Sequence, residues 1–361
     1  MRKFLLNLLL RRLVKPMWRR APSIELLRKR AAMIDRRLGA AGARRPALLE
    51  RLSEQTAGLW LGPRERAPQG VILYLHGGAF CVHLPALYRE FCFDLARRSG
   101  VPVLLPDYRL APEHPAPAAL DDCEQALRHL LRDVPAHRIV LAGDSAGGNL
   151  ALALLQRCRR VGLPMPAGAV LLSPVTDLSG EGWSVHFNEE RDVMFTSHAL
   201  EVVVDHYLPR VLADDPEVSP LHGSWSGTPP LRFHVSSSEM LLDHSLRAVE
   251  RARLHGVDAQ AKVWLDLPHV FPMFGALDEA NQCRAEIAAF VNARLAAPGP
   301  SIDGKRIADS GSSSYSEANR QPMPASPACA RLHRSALPAS AQASASRSTQ
   351  DSETAGDPFS W

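Results

Sequence analysis

The chain has 361 residues, of which 46% are hydrophobic and 22% are charged, so it can build a large globular core. It contains no run of about 18 apolar residues, which argues against a transmembrane helix. The net charge of +4 conceals an asymmetry: residues 1–45 hold 14 Lys and Arg but only Glu25 and Asp35, a net charge of +12, so the rest of the chain sums to −8.

The first helical pattern lies at the N-terminus. Leucines recur there at spacings of three and four among basic residues, which is typical of an amphipathic helix: Leu5, Leu6, Leu9, Leu10 and Leu13. Ser23 then provides a capping signal for a second helix. We interpret residues 1–45 as a basic helical cap over an apolar groove, and residues 46–68 as a connector. Contact of residues 1–20 with a membrane surface is the alternative interpretation.

The cysteines and the first residues bear on the cellular compartment. The six cysteines form no Cys-x-x-Cys pair and have mostly apolar neighbours, which favours reduced thiols and a cytoplasmic protein. The apolar stretch after Met1 resembles a short signal peptide, but Arg11 and Arg12 follow at once without a small-residue cleavage site. A position at the periphery of the inner membrane and secretion are the alternatives.

From residue 71 onwards, short apolar runs alternate with helical patterns. The runs are predicted strands at residues 71–75, 101–106, 138–143, 169–172, 231–235 and 261–265. This alternation predicts an α/β fold with a mostly parallel sheet and helices on both faces. We therefore predict one catalytic domain at residues 69–297, with a cap insertion near residues 187–209.

The C-terminal tail, residues 298–361, has a different composition. Ser, Ala and Pro make up 32 of its 64 residues, and large aliphatic side chains are few. Such a segment cannot bury enough apolar area to offset the entropy lost on ordering, so we predict that it is disordered.

The strongest chemical motif is Gly-x-Ser-x-Gly at residues 143–147, between a predicted strand and a predicted helix. That context is typical of a nucleophile elbow, in which a tight turn presents Ser145 at a helix N-terminus. Backbone N–H groups and the helix dipole favour negative charge at this position. An ordinary glycine-rich turn is the alternative.

A second motif, His-Gly-Gly-Ala-Phe, occupies residues 76–80 after the first strong strand. Acyl transfer needs N–H donors around a developing oxyanion, and consecutive glycines can present successive N–H groups to one point. We expect Gly77, Gly78 and Ala79 to provide such donors, together with the N–H of Ala146 after the nucleophile.

A nucleophilic serine needs a base, and the base needs an orienting acid. His269 is the expected base, because it lies in a loop just after the last predicted strand. Glu239 and Asp243 both follow the strand at residues 231–235, and charge alone leaves the choice of acid open.

Together these motifs resemble the hormone-sensitive-lipase-like (family IV) esterases, the α/β-hydrolase fold-3 group. The likeness runs from about residue 69 to 296 and includes His-Gly-Gly at 76–78, Asp-Tyr-Arg-Leu-Ala-Pro-Glu-His-Pro at 107–115 and Gly-Asp-Ser-Ala-Gly-Gly-Asn-Leu at 143–150. The resemblance implies an α/β-hydrolase fold with a helical cap and hydrolysis of carboxylic esters without a cofactor. We predict no metal site.

The chain departs from the family pattern in two places. The family usually has Asp-Pro-Leu-x-Asp in the acid loop, and Glu239-Met240 stand here in place of Asp-Pro. The resemblance therefore favours Glu239 as the acid, with Asp243 as a neighbouring residue or the alternative acid. Ala79 replaces a third glycine, and its N–H can serve if its φ is negative.

The predicted reaction is hydrolysis of short- to medium-chain acyl esters through an acyl-enzyme on Ser145, with His76 and Asp144 supporting the loops. An amidase or formamidase with the same triad and a non-catalytic ligand-binding protein are the alternatives. The predicted partner is a small-molecule ester, and homodimer formation is left open. Nucleic-acid binding is not predicted, because the basic charge lies on one cap segment rather than on a recognisable binding fold.

Overall fold

The structure is a computed structural model that describes residues 1–18, 23–208 and 210–298. The tail predicted to be disordered lies outside the described residues except for Pro298. Residues 19 and 20 of the predicted membrane-contact segment also lie outside them.

An eight-stranded sheet forms the centre of the described chain. Its strands are β1 (Leu48–Arg51), β2 (Ala57–Leu61), β3 (Val71–Leu75), β4 (Val103–Asp107), β5 (Ile139–Asp144), β6 (Gly168–Leu172), β7 (Leu231–Ser236) and β8 (Ala259–Trp264). They are arranged in the order β1-β2-β4-β3-β5-β6-β7-β8. Pairs that involve β1 or β2 are antiparallel, and the pairs among β3 to β8 are parallel. The predicted mostly parallel sheet is confirmed.

Nine α-helices accompany the sheet within the described residues. They are α1 (Arg2–Leu13), α2 (Ile24–Leu38), α3 (Pro85–Ser99), α4 (Ala118–Leu130), α5 (Ala146–Val161), α6 (Trp183–Phe187), α7 (Ser197–Tyr207), α8 (Leu242–Leu254) and α9 (Asp278–Ala296). Buried side chains of α4, α5 and α8 form one apolar cluster against the sheet, and those of α3 and α9 form a second. Helices therefore cover both faces, as predicted.

The central strands are apolar along their whole length because both of their faces are covered. All residues of β3 and β5 are buried. Successive side chains of a strand point to opposite faces, and accordingly Leu73 and Leu75 join the cluster with α5, whereas Ile72 and Tyr74 join the cluster with α3.

Residues 46–68, interpreted above as a connector, contain two strands of the sheet. β1 and β2 extend it beyond β4, with Trp60 of β2 opposite Leu104 of β4. The side chains of β1 are largely exposed. Such a short, polar edge strand has no alternating apolar pattern by which the sequence would reveal it.

The N-terminal helices pack on the outside of this core. Ser23 caps α2, because its side-chain oxygen accepts a hydrogen bond from the N–H of Leu26 at 3.2 Å. α2 buries Ile24, Leu27 and Ala31. Within the described residues, no helix is long and apolar enough to cross a membrane.

Candidate active site

Parallel strands end at the same edge of the sheet, so the loops after β3, β5, β6, β7 and β8 meet there. The residues singled out by sequence lie in or next to these loops. Those expected to do chemistry are Ser145, Glu239 and His269, with the loop at residues 76–80 beside them.

Ser145 stands in a strained turn between β5 and α5, with φ of 51° and ψ of −119°. Neighbouring glycines make this turn sterically feasible. A Cβ on Gly143 would lie 2.4 Å from the carbonyl oxygen of Gly147, and a Cβ on Gly147 would lie 2.0 Å from the carbonyl oxygen of Leu75. The turn therefore brings α5 directly against β3 and β5 and leaves Ser145 half-buried at the N-terminus of α5.

Asp144 fastens this turn to the loop after β3. Its carboxylate accepts hydrogen bonds from the hydroxyl groups of Tyr74 and Tyr88, both at 2.8 Å, and from the N–H of Gly77 at 3.0 Å. Burial raises the pKa of Asp144, and these hydrogen bonds oppose the rise. These contacts hold backbone and aromatic rings in place, which fits the supporting role predicted for Asp144.

The N–H groups near Ser145 differ in whether they are already bonded. The N–H of Gly77 is committed, because it donates to both Tyr88 and Asp144. In contrast, the N–H groups of Gly78, Ala79 and Ala146 bond to no residue that the structure describes. The N–H of Gly77 is therefore less available as an oxyanion donor in this structure than the other three, and its predicted role stays a prediction.

Ala79 does not satisfy the condition of a negative φ, because its φ is 55°. Phe80 follows with φ of 57°, and the two left-handed residues fold the chain back so that the N–H groups of Cys81 and Val82 reach the carbonyl oxygen of Gly78. The tight turn, rather than the preference of alanine, sets this backbone. Because its N–H has no described partner, Ala79 remains a proposed donor.

Glu239 and His269 are in direct contact. The Oε2 atom of Glu239 lies 2.6 Å from Nδ1 of His269, and both side chains are buried. The other carboxylate oxygen, Oε1, accepts hydrogen bonds from the hydroxyl group of Ser173 at 2.9 Å and from the N–H of Ser236. The carboxylate is therefore fixed in one orientation, with one oxygen directed at the imidazole.

The electrostatic surroundings favour the protonated form of His269. Burial alone lowers its pKa, but the hydrogen bond and the negative charge of Glu239 outweigh burial, with help from Asp192 and Asp144. The net effect raises the pKa above the ordinary value of 6.5. Nε2 of His269 is buried without a hydrogen-bond partner among the described residues, Ser145 included. Contacts between nucleophile and base are often long before substrate binds.

Asp243, the alternative acid, has different contacts from this pair. It lies in the first turn of α8, where its carboxylate is 3.8 Å from the guanidinium of Arg247. Burial raises the pKa of Asp243, whereas Arg247 and a hydrogen bond to Trp183 lower it. Its contacts therefore connect α8 to α6 rather than to His269.

Ser173 is a site residue that the sequence analysis did not single out. Its hydroxyl group donates to Glu239 and lies 3.3 Å from the N–H of Val270, the residue after His269. Ser173 also has a positive φ of 47°. A serine directly after the buried strand β6, at the edge where the other loops meet, is the signal by which it was recognisable.

The cap insertion also contacts His269. The ring of Phe195 contacts His269 edge-on with 5.0 Å between the ring centroids, and Trp18 packs on Phe195 at 5.4 Å. Asp192 accepts hydrogen bonds from the N–H groups of Phe195 and Met240, both at 3.0 Å. The insertion thus links the residue over His269 to the residue after Glu239.

Lys15 connects the N-terminal segment to the same insertion. Its buried ammonium group donates to the carbonyl oxygens of Glu189 and Asp192. Burial lowers the pKa of Lys15, and nearby acidic groups oppose this effect. A buried lysine is uncommon without such partners, so this contact fixes where the cap meets the catalytic loops.

One group of metal-ligand side chains lies beside the glycine loop in the described residues. It comprises His76, His83 and Asp107, whose ligand atoms lie within 4.8 Å of one another. The two imidazole rings are stacked 4.0 Å apart at 7°, so their in-plane lone pairs run parallel and do not converge on one point. His76 also packs on Tyr108, whose hydroxyl group donates to the His76 carbonyl oxygen at 2.6 Å. This arrangement suits loop support better than metal binding.

Comparison with known proteins finds a matching family and several relatives of the chain. A family model described as the alpha/beta hydrolase fold matches residues 72–273, which is more than half of the chain. An esterase of Acinetobacter venetianus is 40% identical over 225 residues, which cover 61% of this chain and 74% of the relative. An acetyl-hydrolase of Streptomyces hygroscopicus is 39% identical over 214 residues, which cover 59% of this chain and 71% of the relative.

A solved structure extends the similarity to three dimensions. The crystal structure of an esterase from the bacterial hormone-sensitive lipase family superposes with a TM-score of 0.66 at 35% sequence identity. The superposition covers 78% of this chain and 99% of that chain. The superposition therefore spans nearly the whole of that chain.

Proposed function

Because the chain belongs to the alpha/beta hydrolase fold family and resembles its hormone-sensitive-lipase-like esterases, we propose that it hydrolyses carboxylic esters with Ser145 as nucleophile, His269 as base and Glu239 as acid. One observation carries the proposal: Glu239 holds Nδ1 of a buried imidazole at 2.6 Å and leaves Nε2 without a described partner. That nitrogen is the one a general base uses.

The proposed reaction proceeds through an acyl-enzyme. Nε2 of His269 accepts the proton of the Ser145 hydroxyl group as the oxygen attacks the ester carbonyl. The N–H groups of Gly78, Ala79 and Ala146 stabilise the tetrahedral oxyanion. His269 then protonates the leaving alcohol, and a water molecule, deprotonated by the same imidazole, cleaves the acyl-enzyme.

Asp243 is a less suitable acid, and the contacts of the two carboxylates support this choice. The carboxylate of Glu239 meets His269, whereas that of Asp243 meets Arg247. An acid in a triad acts by orienting the imidazole and stabilising its charge, both of which require contact.

Ser145→Ala is the direct test. The variant is expected to lose hydrolysis of a small p-nitrophenyl ester by at least about a thousandfold, because the proposed acyl-enzyme forms on the Ser145 oxygen. A fluorophosphonate probe is expected to label the unmodified protein at Ser145 and to leave the variant unlabelled. Ser226→Ala, at an exposed serine, serves as the matched control. Turnover by Ser145→Ala, or labelling elsewhere, would contradict the assignment.

The same triad serves an amidase or formamidase, and a binding protein can share the fold. Comparing ester with amide turnover separates the first alternative, and absence of fluorophosphonate labelling favours the second. We propose short- to medium-chain acyl groups as the substrate class, because Phe195 and Trp18 cover the base closely. An acyl-length series on purified protein tests this class. A maximum at long chains would contradict it.

A further inference from the structure

The first helix is held on the protein in part by polar side chains. Lys3, Asn7 and Arg11 are spaced four residues apart and so share one face of α1. Each donates to a backbone carbonyl oxygen of a later loop, at 3.1, 3.0 and 3.2 Å. The first two acceptors lie in the loop after β8, and the third belongs to Arg191 in the insertion.

Several apolar side chains of the same helix face outward, although Leu6 and Leu10 pack inward. Leu5 (56% exposed), Leu9 (54%) and Leu13 (62%) are spaced four residues apart and form one exposed row. We refer to these three leucines as the α1 stripe. Phe4, which is 69% exposed, lies on another side of the helix.

An ordinary surface helix buries its apolar stripe against the core, whereas α1 packs Leu6 and Leu10 inward and leaves a second row of leucines exposed. Single exposed leucines are common, but a row of them along one helix marks an interaction surface. The polar contacts of the inward face hold α1 in this orientation. The structure thus presents an apolar surface that is suited to binding a partner.

Charge identifies the kind of partner. Residues 1–18 contain five Lys and Arg and no Asp or Glu. Arg2 and Arg12 are exposed and make no hydrogen bond or ion pair with a described residue. A second copy of the chain docked on the same face would bring these like charges together, which is unfavourable. An anionic lipid surface offers both an apolar layer for the stripe and opposite charge for the arginines.

We propose that the α1 stripe docks this protein on the surface of an anionic membrane, with Arg2 and Arg12 at the level of the lipid headgroups. Lys3 and Asn7 bind the loop that runs from β8 to His269, so docking holds that loop at the membrane surface. The expected consequence, faster hydrolysis of esters dissolved in the membrane, rests on the proposed esterase function. The docking itself does not.

The test is co-sedimentation of the full-length protein with vesicles of phosphatidylcholine alone or mixed with phosphatidylglycerol. The protein is expected to bind the mixed vesicles and to dissociate as salt concentration rises. The variant Leu5→Ser/Leu9→Ser is expected to bind at least about tenfold more weakly, because each serine removes a large apolar side chain from the lipid. Leu49→Ser/Leu254→Ser removes two leucines from outside α1 that are more exposed, at 67% and 78%, and this control is expected to bind normally.

A charge variant tests the contribution of the arginines separately from that of the α1 stripe. Arg2→Gln/Arg12→Gln is expected to lose about fivefold in affinity for each arginine on mixed vesicles. It is expected to behave like the unmodified protein on phosphatidylcholine alone. If instead the stripe variant binds vesicles as well as its control does, the proposal is wrong.

Two further outcomes would overturn the docking proposal. One is a dimer in analytical ultracentrifugation that dissociates in the stripe variant, which would make a second copy the partner. The other is a protein that stays monomeric and binds neither kind of vesicle. Turnover of a soluble p-nitrophenyl ester is measured in parallel, so that vesicle binding by a catalytically inert protein contradicts the proposed function and leaves docking standing.

Discussion

The candidate site has a floor, formed by the loops after the strands and the residues that support them, and a cap, formed by the N-terminal segment and the insertion. Different kinds of hydrogen bond hold these two parts in place. In the floor, side chains from distant segments bond to one another, as Asp144 does with Tyr74 and Glu239 with His269. In the cap, long cationic side chains donate to backbone carbonyl oxygens, as Lys3 and Lys15 do. These floor contacts therefore depend on particular side chains at both ends. The cap depends on one side chain and on a backbone group that every residue possesses.

This difference implies different tolerance to substitution. A change in the floor leaves a buried polar partner unsatisfied, which is costly. A change at a cap side chain that donates to a carbonyl oxygen leaves that oxygen free to accept a hydrogen bond from water or from another donor. Floor variants are thus expected to change the chemical step, and cap variants to change substrate binding.

The largest effect is expected from the acid in the floor. Glu239→Gln is expected to lower kcat by about a thousandfold or more, because an amide cannot stabilise the imidazolium of His269. Asp243→Asn, a change of the same chemistry four residues away, is expected to lower kcat by less than about tenfold. Thermal unfolding of both variants checks that they fold. A larger loss in Asp243→Asn would move the acid role to Asp243.

The pH dependence is the next largest effect. Burial lowers and the Glu239 contact raises the pKa of His269, with a net rise above 6.5. Below that pKa the imidazole is protonated and cannot accept the Ser145 proton, so kcat/KM is expected to fall about tenfold per pH unit. Above it, the profile is expected to be flat.

The measurement is kcat/KM for a neutral ester as a function of pH. The acid limb is expected at a midpoint above 6.5 in the unmodified protein. It is expected to move to lower pH in Glu239→Gln, because the charge that stabilises the imidazolium is gone. A midpoint that stays in place in this variant would show that Glu239 does not act on His269.

The smallest effect is expected in the cap. Lys15→Met keeps the apolar stem but removes the donor to the carbonyl oxygens of Glu189 and Asp192. We expect KM to rise by about three- to tenfold while kcat changes little. Lys29→Met, at an exposed lysine of α2, is the control. A loss of kcat as large as that of Glu239→Gln would show that floor and cap contacts do not differ in their effect on the chemical step.

The same contrast accounts for what the sequence could predict. The buried strands β3 and β5 are recognisable because a short, continuous apolar run is typical of a strand that is covered on both faces. The elbow at Ser145 is recognisable from the glycines that its close packing requires. β1 carries no such pattern, because its residues are exposed. It is part of the sheet because it pairs with β2, and pairing leaves little trace in composition.

The directions of backbone N–H groups are the second feature that the sequence could not predict. The residue types of Gly77 and Ala79 suggest N–H donors, but only the fold shows that the N–H of Gly77 is taken by Tyr88 and Asp144. Likewise, the left-handed φ of Ala79 is set by the turn that closes on Gly78. The place of Ser173 directly after β6 is recognisable in the sequence, but its contacts with Glu239 and Val270 depend on three loops meeting, which no local pattern encodes.

The contacts of Asp144 also have a consequence for the order of folding. Its partners Tyr74, Gly77 and Tyr88 precede it by 70, 67 and 56 residues along the chain. Such long loops close late, because their closure entropy must be offset by contacts already formed. We therefore expect the nucleophile turn to form only after β3 and α3 have come together. During synthesis from the N-terminus those two elements are complete before Asp144 leaves the ribosome, so the turn can close on a surface that is already in place.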